Sequence, residues 1–166
     1  MQQIYQQLNT LKLSGIRDAL IQQTEQPNNY SELEFTERLT LLLDNELNQR
    51  DKRKIERLTR QAKFRVRAEL ANLNYRANRN LNKAQIRSLA QGEWLRLHQN
   101  ILITGATGCG KTYLACALGN QHCQQGYSVY YFRLKELLEK MYMTQAEGSY
   151  RKFINKLATA DLLTDV

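Results

Sequence analysis

The stretch Gly105-Ala106-Thr107-Gly108-Cys109-Gly110-Lys111-Thr112 decides the fold class of this chain of 166 residues. It matches the pattern G-x-x-x-x-G-K-[ST], in which glycines let the backbone turn tightly and point its N–H groups at phosphate oxygens. Apolar residues 101–104 predict a strand before the stretch, and residues 113–122 predict a helix after it. The sequence therefore predicts a phosphate-binding loop between a strand and a helix.

Each part of this loop has a chemical role to fill. The backbone of residues 105–110 and the start of the following helix would surround phosphates with N–H donors. Lys111 would reach the β and γ phosphates, and the Thr112 hydroxyl would bind Mg²⁺, which prefers oxygen ligands. We therefore predict ATP and Mg²⁺ as cofactors. A glycine-rich turn without a ligand is the alternative interpretation.

The residues after the loop predict an α/β arrangement. Residues 128–132 have the composition of a second strand, and residues 134–141 have the apolar spacing of an amphipathic helix. A short helix around residues 153–157 and the beginning of a third strand at residues 161–166 follow. Ahead of the loop, Trp94 and Leu95 would either shelter a base or pack between domains.

The first 62 residues predict helices. Apolar residues recur at helical spacing over residues 3–24, with an interruption at Ser14-Gly15. Ser31 and Glu34 have the spacing of a capping box at the start of the next helix. That helix carries one apolar stripe, formed by Phe35, Leu39, Leu42, Leu43 and Leu47. Its phase continues to Ala62, which leaves one long helix or two helices with a bend near residues 48–51.

The net charge of +8 is concentrated in the middle of the chain. Residues 1–49 carry a net charge of −4, residues 50–98 carry +10 and residues 99–166 carry +2. Nine basic residues of this middle part are predicted to form one helix face: Arg50, Lys52, Arg53, Lys54, Arg57, Arg60, Lys63, Arg65 and Arg67. On a helix they would line a rod roughly 25 Å long, comparable to several phosphate spacings of a duplex. We predict that this face binds the DNA backbone without reading sequence; a solvated helix face is the alternative.

The composition and the N-terminal residues indicate in which cellular compartment the protein is expected. No apolar run approaches the roughly 20 residues of a membrane span, and the N-terminus lacks the charged start and apolar stretch of a signal peptide. The cysteines Cys109, Cys116 and Cys123 recur every seven residues without a C-x-x-C pair for zinc. We therefore expect reduced thiols, a cytoplasmic protein and no membrane partner.

Several segments, in order along essentially the whole chain, resemble the IstB-like ATP-binding proteins of insertion sequences, relatives of the DnaC helicase loaders in the AAA+ class. They are residues 11–15, residues 35–39 with Glu46 and Arg50-Asp51, and residues 92–94, 100–105, 111–118, 126–129 and 148–150. The resemblance implies an α/β fold class: a helical, basic, DNA-binding region at residues 1–95, then the first part of a P-loop AAA+ three-layer α/β domain with an incomplete parallel sheet at residues 96–166. It also implies self-assembly on DNA and the transposase of the same element as a partner.

The end of the chain departs from the family pattern. Family members continue into a paired acidic Walker B motif, a sensor residue and an arginine that acts across subunits. An ungapped alignment places Thr164 and Asp165 where apolar residues of a strand belong. The alternative alignment makes Asp165 the candidate Mg²⁺ carboxylate, but it leaves the strand too short and puts Val166 where the second acid belongs. We therefore expect a truncated member that binds ATP with at most trace hydrolysis, and whether the chain is an enzyme stays open. A helicase loader, a DNA-binding fragment without catalysis and a decayed remnant are the alternatives.

The family's sheet order, 5-1-4-3-2, has a consequence for residues 101–104. The predicted first strand would lack both of its usual neighbours, and unpaired backbone groups are costly. We expect this strand either to pair directly with the third strand or to be weakened.

Overall fold

The computed structural model describes residues 1–75 and 81–165. The chain divides into two compact units, Met1–Lys54 and Ile55–Val166. The first unit is helical, and the second combines helices with a short parallel sheet. This confirms the predicted fold class, a helical N-terminal region followed by an incomplete P-loop α/β domain. The division predicted from the resemblance, into a helical basic region at residues 1–95 and a partial AAA+ domain at residues 96–166, stays a prediction.

Three helices build the first unit. Helix α1 spans Gln2–Thr10, α2 spans Ser14–Glu25, a 3-10 turn covers Pro27–Asn29, and α3 spans Phe35–Ala62. The predicted interruption at Ser14-Gly15 is confirmed, because α1 ends before it and α2 begins there. Helix α3 runs without a break through residues 48–51 and past the boundary between the units. The single long helix is therefore the correct alternative.

The start of α3 differs from the predicted capping box. The Ser31 hydroxyl donates to the Asn28 carbonyl at 3.1 Å, so it is used in a local turn. The Glu37 carboxylate instead accepts the N–H of Glu34 at 2.9 Å, and the helix begins at Phe35. The predicted cap at Ser31 is therefore wrong, and half of a capping box forms three residues later.

Helices α2 and α3 approach closely at Gly15. The Glu46 carboxylate accepts the N–H groups of Gly15 at 2.7 Å and Ile16 at 3.2 Å, and Asn45 donates to the Gly15 carbonyl at 2.7 Å. A β-carbon on Gly15 would lie 2.5 Å from the Glu46 Cα. Only glycine allows this approach, and Glu46 satisfies the first N–H groups of α2.

The apolar stripe of α3 is largely exposed. Leu42 is 9% exposed, whereas Phe35 is 78% exposed and Leu47 is 60% exposed. Leu39 and Leu43 are exposed as well. The spacing correctly predicted the helix, but most of the stripe does not enter a core of the described residues.

The second unit contains the sheet and five further helices in its described part. A 3-10 turn lies at Leu70–Asn72, and the elements after it are α4 Lys83–Gln91, α5 Glu93–Arg96, α6 Lys111–Gln124, β1 Val129–Phe132, α7 Leu134–Ala146, α8 Tyr150–Ala158 and β2 Leu162–Asp165. Strands β1 and β2 pair in parallel, with Val129 opposite Leu162 and Phe132 opposite Asp165. These are the predicted second and third strands.

Helix α6 and β1 supply most of the core of the second unit. Cys116, Ala117 and Tyr131 form one buried cluster with Ala68. Cys123 and Val129 form another with the last turns of α3, Leu58 and Ala62. Both clusters lie against Phe64, so the helix that begins at the loop is firmly packed.

The strand predicted at residues 101–104 does not form. These residues have no backbone hydrogen-bond partner in the described part of the chain, and Leu102 is 88% exposed. A parallel strand is held by its neighbours, and β2 pairs with β1 rather than with this segment. The expected pairing with the third strand is therefore wrong, and the segment is weakened to the point of having no strand structure.

Among residues 1–75 and 81–165, none of the helices combines the length and the apolar character that crossing a bilayer requires.

Candidate functional site

The phosphate-loop motif forms the turn that starts α6. Gly110 precedes the helix with φ of 96°, and Gly108 has φ of 79°, so both adopt left-handed backbone conformations that favour glycine. Helix α6 then begins at Lys111. The motif therefore presents the unpaired N–H groups of a helix N-terminus at the end of a tight loop.

Lys111 lies over this loop. Its ammonium donates to the carbonyl of Gly105 at 2.9 Å and to that of Ala106 at 2.8 Å. No acidic side chain of the described residues pairs with it. Neutral carbonyl groups thus hold the Lys111 ammonium at the loop, and an anionic ligand can replace them because its hydrogen bonds to the ammonium are stronger.

A cavity of about 490 Å³ opens beside the loop. Leu73, Leu81 and Tyr113 contribute an apolar wall. The loop residues that line the cavity are Gly105, Ala106, Cys109, Gly110 and Lys111. This volume lies within the range of small-molecule sites. One side of the cavity can therefore bind phosphates while the other covers an apolar group such as a base.

The apolar wall was not predicted from the sequence. Tyr113 follows the motif directly, so its position was the available signal, whereas Leu73 and Leu81 have no motif of their own. The Tyr113 hydroxyl lies 3.5 Å from the Glu69 N–H and 3.4 Å from the Glu69 carbonyl. Asn120 of α6 donates to the Ala68 carbonyl at 3.1 Å. These contacts fix the segment before Leu73 against α6.

A second cavity, of about 560 Å³, brings Lys111 and Asp165 together among its lining residues. Asp161 also lines it, but its carboxylate accepts the N–H and hydroxyl of Ser128 at 2.7 and 2.8 Å. Asp165 lies at the end of β2, and its carboxylate makes no hydrogen bond within the described residues. The structure thus places one unengaged carboxylate, rather than a pair, in the cavity that Lys111 lines.

Trp94 lies away from the loop cavity. Its indole N–H donates to the Leu89 carbonyl at 2.9 Å, and its ring meets His122 edge-on at 5.3 Å. His122 is fully buried, and burial lowers its pKa, although its hydrogen bond with the Leu118 carbonyl acts in the opposite direction. Trp94 therefore packs against His122 within the second unit, and Trp94 and Leu95 also line the second cavity together with Lys111. Their role in sheltering a base stays a prediction.

The three cysteines are free and differ in access. Cys109 is half-buried and lines the loop cavity, whereas Cys116 and Cys123 are fully buried on α6. Burial raises the pKa of Cys123 to about 11. Only Cys109 is placed where a ligand of the loop would cover it.

The predicted basic face begins on the part of α3 in the first unit. Arg50 donates to the Glu46 carboxylate at 2.7 Å, and Arg53 bonds to Ser14 and Gln49. Lys52 and Lys54 are exposed and make no side-chain hydrogen bond or ion pair within the described residues. Two of the four predicted cations in this unit are thus engaged with protein groups.

The remainder of the predicted face belongs to the second unit. Arg57 and Arg60 are exposed on the last turns of α3. The helix ends at Ala62, and Lys63 has φ of 55°, a left-handed conformation that turns the chain. Lys63, Arg65 and Arg67 are exposed but lie beyond the helix. The expected rod through residue 67 is therefore wrong, while the proposed role of these cations in DNA binding stays a prediction.

Comparison with known proteins identifies the family. The model of the IstB-like ATP binding protein family matches residues 6–165. The chain is 46% identical over 158 residues to a protein named as an ATP-binding protein of insertion sequence IS1162 from Pseudomonas fluorescens, covering 95% of this chain and 68% of the relative. It is 36% identical over 157 residues to the insertion-sequence protein y4pL of Sinorhizobium fredii, covering 94% and 63%.

A less similar relative carries the same description. The protein Rv3427c of Mycobacterium tuberculosis, also named as an ATP-binding protein in an insertion sequence, is 31% identical over 149 residues, covering 90% of this chain and 59% of the relative. The chain therefore spans about three fifths to two thirds of the length of these three relatives. The family match includes the phosphate loop, α6, β1 and β2. This chain belongs to the IstB-like ATP-binding protein family.

Proposed function

We propose that this chain binds ATP at residues 105–112 and acts as a helper protein in DNA transposition. The observation that carries the proposal is Lys111 held over a glycine loop at the start of α6, beside a cavity of about 490 Å³. The phosphates would meet the loop N–H groups and the ammonium, and the base would lie towards Leu73 and Tyr113. Membership of an insertion-sequence family supports transposition as the process.

Mg²⁺ is the proposed metal, and two side chains offer oxygen donors for it. The Thr112 hydroxyl and the Asp165 carboxylate are both hard oxygen donors, and neither makes a hydrogen bond within the described residues. No group of three His, Cys, Asp or Glu side chains in residues 1–75 and 81–165 could hold a metal without further ligands. Asp165 lines the second cavity with Lys111, whereas Thr112 lines neither that cavity nor the loop cavity. Each donor would therefore hold Mg²⁺ together with the phosphates and water, and the ion would offset charge on the phosphates.

We propose that the 166-residue chain by itself turns ATP over slowly. Alignment of the attacking water needs a further polar side chain beyond the one that holds the metal, and a second carboxylate is the candidate that this family pattern offers. Asp165 is the unengaged acid of the second cavity, and Asp161 is bonded to Ser128. Turnover near one per second by the purified chain, abolished by Lys111→Ala, would contradict this proposal.

DNA is the proposed polymeric partner, bound through its backbone. Lys52, Lys54, Arg57 and Arg60 support this, since they are exposed and have no acidic partner in the described residues. The transposase of the same element and further copies of the chain are the proposed protein partners. Their support is the naming of the relatives as insertion-sequence proteins.

Fluorescence anisotropy with two duplexes of unrelated sequence tests the DNA proposal. We expect similar affinities for both, falling steeply with salt because condensed counterions are released on binding. Reversing Lys52, Lys54, Arg57 and Arg60 to Glu should weaken binding at least about tenfold and reduce the salt slope. The matched control reverses Lys12, Lys83, Arg87 and Lys135 to Glu, with the same change in net charge.

The proposal fails if affinity does not depend on salt. It also fails if the reversed chain and its control bind DNA equally well. Circular dichroism of both variants verifies that they are folded before the affinities are compared.

A further inference from the structure

A third cavity, of about 250 Å³, lies in the second unit and shares no lining residue with the other two. It is formed by the end of α3 and by β1, α7 and α8. Four lysines line it, and we call it the lysine pocket: Lys63, Lys140, Lys152 and Lys156. No acidic side chain of the described residues lines it. The lysine pocket therefore concentrates positive charge without a counter-charge from the protein.

The four ammonium groups come from three different parts of the unit. Lys63 follows α3, Lys140 is on α7, and Lys152 and Lys156 are one helical turn apart on α8. All four side chains are exposed, and none forms an ion pair within residues 1–75 and 81–165. Like charges gathered in this way repel, and an anion bound among them would relieve the repulsion.

Aromatic rings orient two of these lysines. The Lys140 ammonium lies 5.5 Å from the centre of the Phe153 ring, and the Lys156 ammonium lies 5.1 Å from that of Tyr130. Phe153 and Tyr130 are 8% and 7% exposed, so they form a buried floor rather than a stacking surface for a base. Gln61 bonds to the Tyr130 hydroxyl and helps to fix that floor.

Ser149 adds a neutral donor at the edge of the lysine pocket. It precedes α8, and its hydroxyl makes no hydrogen bond within the described residues. The start of α8 also contributes the positive end of the helix dipole. Ammonium groups, a hydroxyl and a helix N-terminus are the donors that bind phosphate oxygens in proteins.

The size and surroundings of the lysine pocket indicate which phosphate it takes. Its volume is below the roughly 300–1,000 Å³ of typical small-molecule sites, so it suits one phosphate group better than a whole nucleotide. Lys63 also belongs to the exposed basic segment that continues through Arg65 and Arg67. A ligand with repeating phosphates can contact both, whereas an isolated phosphate cannot.

We propose that the lysine pocket binds a phosphodiester of the DNA backbone. The proposal rests on the proposed DNA-binding function and extends it from the α3 region to α7 and α8. It assigns Lys140, Lys152, Lys156 and Ser149 to nucleic-acid binding without base recognition, because the ring faces beneath them are buried.

A charge-neutral variant tests the lysine pocket. The change is Lys140→Gln, Lys152→Gln and Lys156→Gln together, and the matched control is Lys12→Gln, Lys83→Gln and Lys135→Gln. We expect the pocket variant to bind duplex DNA about tenfold more weakly than the control. The salt slope should fall by roughly 0.9 for each DNA phosphate that the variant no longer neutralises. Both variants should bind ATP like the unmodified chain, since the pocket shares no residue with the loop cavity.

Lysine acetylation of the unmodified chain gives a second readout that does not depend on a variant folding. Duplex DNA should protect Lys140, Lys152 and Lys156 from acetylation, whereas Lys135 should stay reactive. Inorganic phosphate at the same phosphate concentration should protect these lysines much less. Equal protection by inorganic phosphate would identify a small-anion site and overturn the proposal.

The outcomes separate the two proposals. If the unmodified chain binds DNA but the pocket variant matches its control and the lysines stay reactive, the lysine pocket proposal alone is overturned. If the unmodified chain binds no DNA at low salt, the DNA-binding part of the proposed function fails, and the pocket proposal fails with it.

Discussion

Cys109 reports on the ligand of the loop at the scale of a single residue. It lines the loop cavity, whereas Cys116 and Cys123 are fully buried on the same helix. A thiol reagent such as iodoacetamide should therefore modify Cys109 first, and ATP should slow that reaction because it covers the loop.

Peptide mapping by mass spectrometry measures this labelling. The buried Cys123 is the internal control, since burial raises its pKa to about 11 and leaves little thiolate at neutral pH. Labelling of Cys109 at the same rate with and without saturating ATP would argue against ATP binding at this loop.

Glu46 links stability to pH in the first unit. Burial acts to raise the pKa of its carboxyl, but hydrogen bonds from Arg50 and from two backbone N–H groups outweigh burial and hold the pKa below its ordinary value of 4.5. A carboxyl with a lowered folded-state pKa contributes stability that is complete above pH 4.5. That contribution is lost as the pH falls through the folded-state pKa.

Replacing Glu46 by Gln should therefore destabilise the chain most at neutral pH. We expect a loss of about 1–3 kcal/mol in the free energy of unfolding at pH 7, since a charged acceptor for Arg50 and the start of α2 disappears. Urea unfolding at pH 7 and below pH 4.5 measures the difference, which should shrink in acid. A difference that is the same at both pH values would show that the carboxylate charge is not the cause.

Among the helices and strands, the elements specified by a local sequence motif were predicted well, whereas the pairing of strands was not. The loop and α6 were predictable because eight consecutive residues specify both the turn and the helix start. The cap at Ser31 was mispredicted because the helix begins only at Phe35, where the Glu37 carboxylate accepts the Glu34 N–H. Residues 101–104 have the composition of a strand, but composition cannot supply the neighbouring strand that would hold them.

Hydrogen exchange tests the state of residues 101–104. Their amides should exchange rapidly, because they have no hydrogen-bond acceptor within the described residues. The amides of β1, which pairs with β2, serve as the internal reference and should exchange more slowly. Strong protection of residues 101–104 in the isolated monomer would contradict the structure of this segment.

At the scale of the whole molecule, binding features come from residues far apart in the sequence. Leu73 and Tyr113 meet at the loop cavity, and Lys63 and Lys156 meet at the lysine pocket. Neither grouping has a motif, since each depends on how elements of the second unit pack. The sequence therefore predicted the phosphate side of the candidate site, whereas the apolar wall and the lysine pocket required the structure.

Calorimetric titration of the chain with ATP and Mg²⁺ measures whether residues 105–112 bind the nucleotide. We expect saturable binding at the loop and an affinity at least about tenfold lower for Lys111→Ala, because a charged donor to the phosphates is worth about 1.5–3 kcal/mol. The matched control is Lys135→Ala, an exposed lysine of α7 that lines none of the three cavities. It should bind ATP like the unmodified chain. An unmodified chain that binds no ATP, or a Lys111→Ala chain that binds it equally well, would contradict ATP binding at this loop.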